Sequence, residues 1–335
     1  MLPSLMPVLL ATALLAPVDE PVTLTPETVA EHDRLVVQVM LGPKGKTLVT
    51  LTDEGALHSI DLKDGSRRWT TMPDMVLPEG GGVGGDEAWY VAACGAKIAA
   101  RALSRVAAYT TIDLEDGTEA SGTGGTTFQQ RTGAILVDPK DRWIWIGTQT
   151  GTMTRLLVND LKGWSNRGMD NSGVTALAMD GKGKEIAVGG KDGSLRFIGN
   201  TSCDVDDKAV FEGHQTQVSA VAWHPKKGEV ATGDLNGQVL IRTRRGGKRK
   251  RALAVLGASV RCLAFHPKGD WIAIGDSEGR LTLWDPDKGD QLAEATVEGK
   301  LKGVHDILVL DKGKRIVAAC GGKELVSFDV SEVGK

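Results

Sequence analysis

Short apolar runs along the chain alternate with polar turns rich in glycine, lysine and aspartate, and one arrangement recurs. An apolar strand leads through a Pro/Gly/Lys turn into a second apolar strand that ends in glycine. A tight glycine turn and a third strand follow. The pattern reads VAWHPKKGEVATGDLNGQVLIR from Val221 to Arg242 and LAFHPKGDWIAIGDSEGRLTLWD from Leu263 to Asp285. Further copies run from Val39 to Asp61, Ile135 to Leu157, Leu177 to Ile198 and Leu308 to Asp329, with a degenerate one around Trp89–Gly95. Uninterrupted apolar strands such as Ile186-Ala187-Val188 and Ile272-Ala273-Ile274 predict sheets covered on both faces.

The turn glycines Gly151, Gly193, Gly237 and Gly279 lie 42, 44 and 42 residues apart, and Gly55 precedes Gly151 by 96. A repeat of this length built from several short strands is the signature of propeller blades, because one small sheet cannot bury both faces unless neighbours stack on it. The predicted fold is all-β: a seven-bladed β-propeller of four-stranded antiparallel sheets filling residues 18–335 as a single domain. Its blades start near residues 35, 86, 132, 173, 217, 259 and 303. The last copy stops near Val330 after three strands. A strand near residues 21–25 is therefore expected to complete it, closing the ring and removing its free edges.

The second copy holds about ten extra residues, assigned to Ala96–Arg105 because IDLEDG (Ile112–Gly117) matches IDLKDG (Ile60–Gly65). Strong helix formers there would align Lys97, Arg101 and Arg105 on one helical face as a basic docking helix; a passive excursion or a strand is the alternative.

Trp284-Asp285 after an apolar strand, Gly213-His214 before one, and the turns Asp61–Gly65, Asp113–Gly117 and Asp285–Gly289 resemble the WD-repeat family of β-propellers. The similarity covers nearly the whole chain after residue 20, with departures in every copy. In the fifth, Asn236 and Arg242 stand where the family's Asp and Trp are expected beside His214 and Thr232; Ile274 and Ile198 replace polar and Trp positions elsewhere. The resemblance implies a non-enzymatic scaffold that binds a protein partner through inter-blade loops on one face. Blade register places Asp53, Thr150, Lys191, Leu235, Ser277 and Gly322 on that face, joined by Lys97 and Arg101 from the second copy.

Composition narrows the alternatives. The 335 residues carry 40 basic and 43 acidic side chains, a net charge of −3 that excludes a globally basic nucleic-acid coat. The first 16 residues are uncharged, and the apolar stretch Val8–Ala16 has the length of an export signal rather than a membrane span. Small residues at Ala11, Ala13 and Ala16 suit cleavage, although no Lys or Arg precedes Arg34; a packed apolar start on a cytoplasmic protein is the alternative. The reading is therefore export to the periplasm or outside the cell, which would leave nucleic acid little role as a partner. Cys94, Cys262 and Cys320 fall in apolar runs, Cys203 lies in a polar loop, and no CxxC spacing occurs.

Candidate chemistry is sparse, and no cofactor, metal site or catalytic residue is assigned. Gly80–Gly85 satisfies G-x-G-x-x-G but precedes a strand, not a helix. Six histidines are scattered, and His305-Asp306 is the one pair suited to acid–base work. The densest charge is Arg242, Arg244, Arg245, Lys248, Arg249, Lys250 and Arg251, at the third-to-fourth-strand turn of blade five. Such a block attracts an anionic polymer or remains a solvated hairpin; without interleaved aromatics it offers bases no stacking platform. Two other functions remain open: a hydrolase- or lyase-type or ligand-binding propeller working at the central channel, and a cytoplasmic nucleic-acid binder using this basic turn.

Overall fold

Glycines placed under the valines of the next blade set the spacing of the ring. In blades three to six the second strand carries Gly147, Gly189, Gly233 or Gly275, each facing Val174, Val218, Val260 or Val304 of the following blade. A Cβ on Gly147 would sit 2.2 Å from Val174, and one on Gly233 2.4 Å from Val260, so only a bare backbone allows the sheets to approach this closely. The computed structural model describes residues 21–73, 90–103, 109–121, 132–161, 167–168, 172–206, 209–246, 248–253, 257–297 and 303–334. These form seven antiparallel sheets around an axis, the predicted propeller. The innermost strands are Val36–Leu41, Tyr90–Cys94, Thr132–Val137, Val174–Met179, Val218–Trp223, Val260–Phe265 and Asp306–Leu310.

The core lies between blades rather than at the axis. Ala273, Leu281 and Leu283 of blade six pack with Ile316, Ala318 and Phe328 of blade seven, all essentially buried. Tyr90, Ala99 and Ile112 of blade two likewise close over Val49, Leu51 and Leu57 of blade one. Each second strand thus has both faces covered, which is why these strands read as continuous apolar runs instead of alternating ones.

Polar side chains stitch neighbouring innermost strands together. Ser219 Oγ donates to the Val260 carbonyl at 2.6 Å, Cys262 Sγ to Val304 at 3.3 Å, and Thr175 Oγ1 to Val218. Gln38 Oε1 accepts the Ala92 amide at 2.9 Å, and Asp306 Oδ2 accepts the Val39 amide at 3.1 Å across the junction of blades seven and one. Thr175 and Ser219 occupy bulges where the innermost strand shifts register, as do Val37, Gly133 and Arg261. A bulge turns one side chain out of the sheet toward the next blade or the channel.

Three expectations need correction. The ring is closed by the N-terminal chain, but the strand that completes blade seven is Glu27–Glu31, antiparallel to Glu324–Asp329. Within the predicted 21–25 segment, Val22–Thr23 instead runs parallel to the outer strand Gln291–Thr296 of blade six, and Leu24 plugs the apolar layer between blades six and seven. Pro26, which has no amide to donate, separates the two pairings. Second, Ala96–Arg105 holds no helix in its described part: Ile98–Leu103 is the second strand of blade two. Ala99 faces the layer against blade one, while Ala100 and Ala102 face that against blade three, so burial on both sides overrides helix propensity. The extra length lies instead between Thr71 and Tyr90, with residues 74–89, including the glycine motif Gly80–Gly85, outside the described residues. Third, blade four has three regular strands among the described residues; two isolated bridges, Leu195–Phe211 and Ile198–Val205, stand in for its outer strand. There Cys203 is buried against Trp145 and Ile198 rather than lying in an open polar loop.

Candidate partner-binding face and channel mouth

In blades one, three, five and six the tight turn after the second strand is built by one device. A short acceptor at the end of that strand bonds the amide four residues on: Thr52 to Ala56 at 3.1 Å, Thr148 to Thr152 at 2.9 Å, Asp234 to Gln238 at 2.9 Å and Asp276 to Arg280 at 2.9 Å. The residue after the strand then ties back beneath the innermost strand, Asp53 to the Leu35 carbonyl, Lys191 to Gly173 and Ser277 to Ser259. Asp53, Thr150, Lys191, Leu235, Ser277 and Gly322 therefore all sit in the second-to-third-strand turns, on the same face of the ring. Thr150, Lys191 and Leu235 are exposed, and Asp53, Ser277 and Gly322 are half-buried.

Two of the residues assigned to this face belong elsewhere. Lys97 is exposed in the turn between first and second strands of blade two, on the opposite face. Arg101 is only 3% exposed and donates to the Gly55 carbonyl at 3.0 Å and to Thr71 at 3.2 Å, bracing blade two against blade one.

The channel opens on the face of the second-to-third-strand turns into a hollow of about 370 Å³. Gln38, Gln217, Leu235, Arg261 and His305 line it, and a smaller hollow of about 270 Å³ continues past Gln217 to Gln149 and Lys191. This mouth is more polar than the apolar inner strands imply. Its signal in the sequence is faint: Gln217 and His305 immediately precede innermost strands, and Arg261 interrupts an otherwise apolar one. Asp306 of the His305-Asp306 pair accepts the amides of Val39 and Ile307, one on each carboxylate oxygen. Burial raises the Asp306 carboxyl to about 6, against the pull of those two amides.

The basic turn of blade five divides into structural and exposed parts. Arg242, largely buried, donates to the Glu212 carbonyl in the place where Trp284 packs in blade six. Arg244 bonds Glu185 at 2.7 Å and Asp206 at 2.9 Å, and stacks 4.3 Å above Phe197, clamping blade five to blade four. Arg245 and Lys248 point outward, Arg251 is half-buried, and Arg249 and Lys250 belong to the outer strand Arg249–Leu253.

Several remaining polar side chains are brought together for stability. His214 bonds Thr232 at 2.7 Å and Asp234 at 3.0 Å, so the acid of this latch lies two residues before the expected Asn236. Burial lowers the His214 pKa, partly opposed by Asp234. His32, directly after the closing strand, repeats the arrangement by bonding Thr50 at 2.9 Å. Burial holds both His32 and its neighbour His58 at about 4. Asn200, fully buried, receives the Trp145 indole N–H at 2.7 Å and donates to Asp138 at 2.7 Å, joining blades three and four. Burial opposes the charge on Asp138, yet bonds from Arg142 and Asn200 hold it near about 2. Among the described residues no group of three His, Cys, Asp or Glu side chains is arranged to hold a metal, and no helix is long and apolar enough to cross a membrane.

Blades five and six, which carry the latch and the Trp-Asp turn, are also where a family model matches the chain. Residues 206–241 and 251–285 match the family model "WD domain, G-beta repeat". A 68-residue stretch is 32% identical to Actin-interacting protein 1-2 of Arabidopsis thaliana, spanning 20% of this chain but 11% of that protein. The molecule is thus a seven-bladed propeller, two of whose blades match the WD-repeat model.

Proposed function

We propose that this propeller is a non-enzymatic scaffold that holds a protein partner over the channel mouth. The observation that carries this reading is Leu235, a large apolar side chain left 41% exposed at the rim of the hollow. Gln217 and Arg261 line the same hollow with polar groups, and Lys191 lines the smaller hollow beyond Gln217. An apolar centre with a polar rim is the usual anatomy of a protein-binding patch. WD-repeat propellers commonly act as interaction scaffolds, and the Arabidopsis relative is named for an interaction with actin, which favours a protein as the ligand class.

A photo-crosslinker at position 235 should capture a partner that can be identified and reconstituted with purified chain. Leu235→Glu and Lys191→Glu should each weaken that reconstituted complex without lowering Tm, whereas Lys44→Glu, on the other face, should leave it intact. Equal loss from Lys44→Glu would defeat this choice of surface. A second reading, a small anionic ligand in the hollow, is favoured by Arg261, exposed at its wall; Arg261→Gln would then abolish ligand binding while leaving the protein complex measurable.

A further inference from the structure

On the opposite face, a cleft of about 540 Å³ runs between blades four and five, outside the surface discussed above. Its walls are the first-to-second-strand turns of both blades, Asp180–Glu185 and His224–Gly228, together with Thr243–Arg245 from the next turn outward. Six cations and two carboxylates line it. Two of the cations are already matched, Arg244 by Glu185 and Asp206, and Lys227 by Asp287 at 2.7 Å. The Asp180 carboxylate faces its own turn, accepting the amides of Lys184 and Glu185. Lys182, Lys184, Lys226 and Arg245 remain exposed, with no ion pair among the described residues.

We propose that this cleft is a docking site for a carboxylate-rich segment of a protein. Four exposed cations around one concavity are a local excess in a chain whose net charge is −3, and such an arrangement concentrates anions at its surface. The walls leave room for a peptide backbone: a Cβ on Gly228 would meet nothing within 4 Å, and one on Gly181 only the Pro225 carbonyl at 3.9 Å, so another chain can lie close. A nucleic acid fits less well. Of the two aromatic rings among its described lining residues, His224 is buried against Phe265, and Trp223 is half-buried, packs edge-on against Phe197 and spends its indole N–H on the Ala178 carbonyl. Base stacking therefore lacks a free platform. The fork of Arg244, suited to phosphate, is occupied by carboxylates.

The probe is fluorescein-labelled hexaglutamate, followed by anisotropy at about 10 mM salt, where charges act over roughly 30 Å. Wild-type chain should bind it, and the double variant Lys182→Glu/Lys226→Glu should weaken binding about tenfold or more, since two attractions become repulsions. Arg245→Glu, in an exposed turn, should weaken it on its own and covers the case in which the double variant folds poorly. Lys191→Glu and Leu235→Glu, on the other face, should leave hexaglutamate binding unchanged, which separates this site from the channel mouth. The proposal is overturned if wild type fails to bind, if the cleft variants bind as wild type does, or if labelled hexathymidylate of equal length binds more tightly with the same sensitivity.

Discussion

Asp306 makes a side-chain bond across the junction of blades seven and one, and its charge is costly where it sits. Its carboxyl titrates at about 6 in the folded ring, pushed up by burial, against an ordinary value of 3.8 in the open chain. The folded state therefore keeps a proton that the unfolded state has already released, and the stability from this group is fully present below 3.8 and lost as pH rises through about 6. At ~1.4 kcal/mol per pH unit that gap is worth ~3 kcal/mol, of which ~2 kcal/mol falls between about pH 4.5 and about pH 7.5. Asp306→Asn removes the titration while keeping the shape. His32 and His58 pull the other way over an overlapping range: held neutral at about 4, they lose stability as pH falls from the ordinary 6.5. The wild-type curve alone would mix these trends, so the informative quantity is the difference between wild type and Asp306→Asn. Urea unfolding across the pH series should show the variant gaining ~2 kcal/mol relative to wild type from the acidic to the neutral end. A difference that stays flat, or slopes the other way, would refute the argument that burial holds this carboxyl protonated in the folded ring.

Four further outcomes can be checked. Gly147→Ala and Val174→Ala should each cost ~1–3 kcal/mol in urea unfolding, and together at least ~1 kcal/mol less than their sum, because the second removes the methyls that the first strikes; strict additivity would deny the interlock. Asn200→Ala should lower stability by ~2–4 kcal/mol by stranding the Trp145 N–H and part of the Asp138 carboxylate; a loss within experimental error would show that water replaces the latch. The thiol of Cys320, raised to about 12 by burial, and those of buried Cys262 and Cys203 should resist a thiol reagent at neutral pH and react after denaturation; rapid native labelling of these three would contradict their burial. If the apolar start is an export signal, mass spectrometry of the chain in its source cell should find its start after Ala13 or Ala16, which lie outside the described residues; an intact Met1 would defeat that reading.

The propeller was legible in the sequence because each blade needs the same few things from its strands. Gly147, Gly189, Gly233 and Gly275 must be small to admit the next blade, and Gly151, Gly193, Gly237 and Gly279 all adopt positive φ in the turns. These demands leave a period in the letters. What failed was governed by tertiary context. Ala99, Ala100 and Ala102 favour a helix in isolation, but cover on two sides makes them a strand. The closing strand could be placed only to within a few residues, because two adjacent segments each find a sheet edge and the pairing partners lie at the far end of the chain. The exposed turn residues of the partner face followed from register, whereas Gln217, Arg261 and His305 converge from different blades with no shared pattern. The basic turn showed the limit of counting charges: Arg242 and Arg244 are spent holding blades, which only their contacts reveal.

The pairing of Glu27–Glu31 with Glu324–Asp329 also gives the molecule a history during its synthesis. Thr28 reaches Glu324, 296 positions away, so at typical translation speeds the early strand waits roughly 15–60 s for its mate to leave the ribosome. Bringing segments so far apart together costs ~5 kcal/mol of chain entropy, recovered only when the final hairpin docks. Until then the flank of blade one and the edge of that strand stay unpaired. The nascent protein therefore spends most of its manufacture as an incomplete arc, vulnerable to a foreign strand at this one seam.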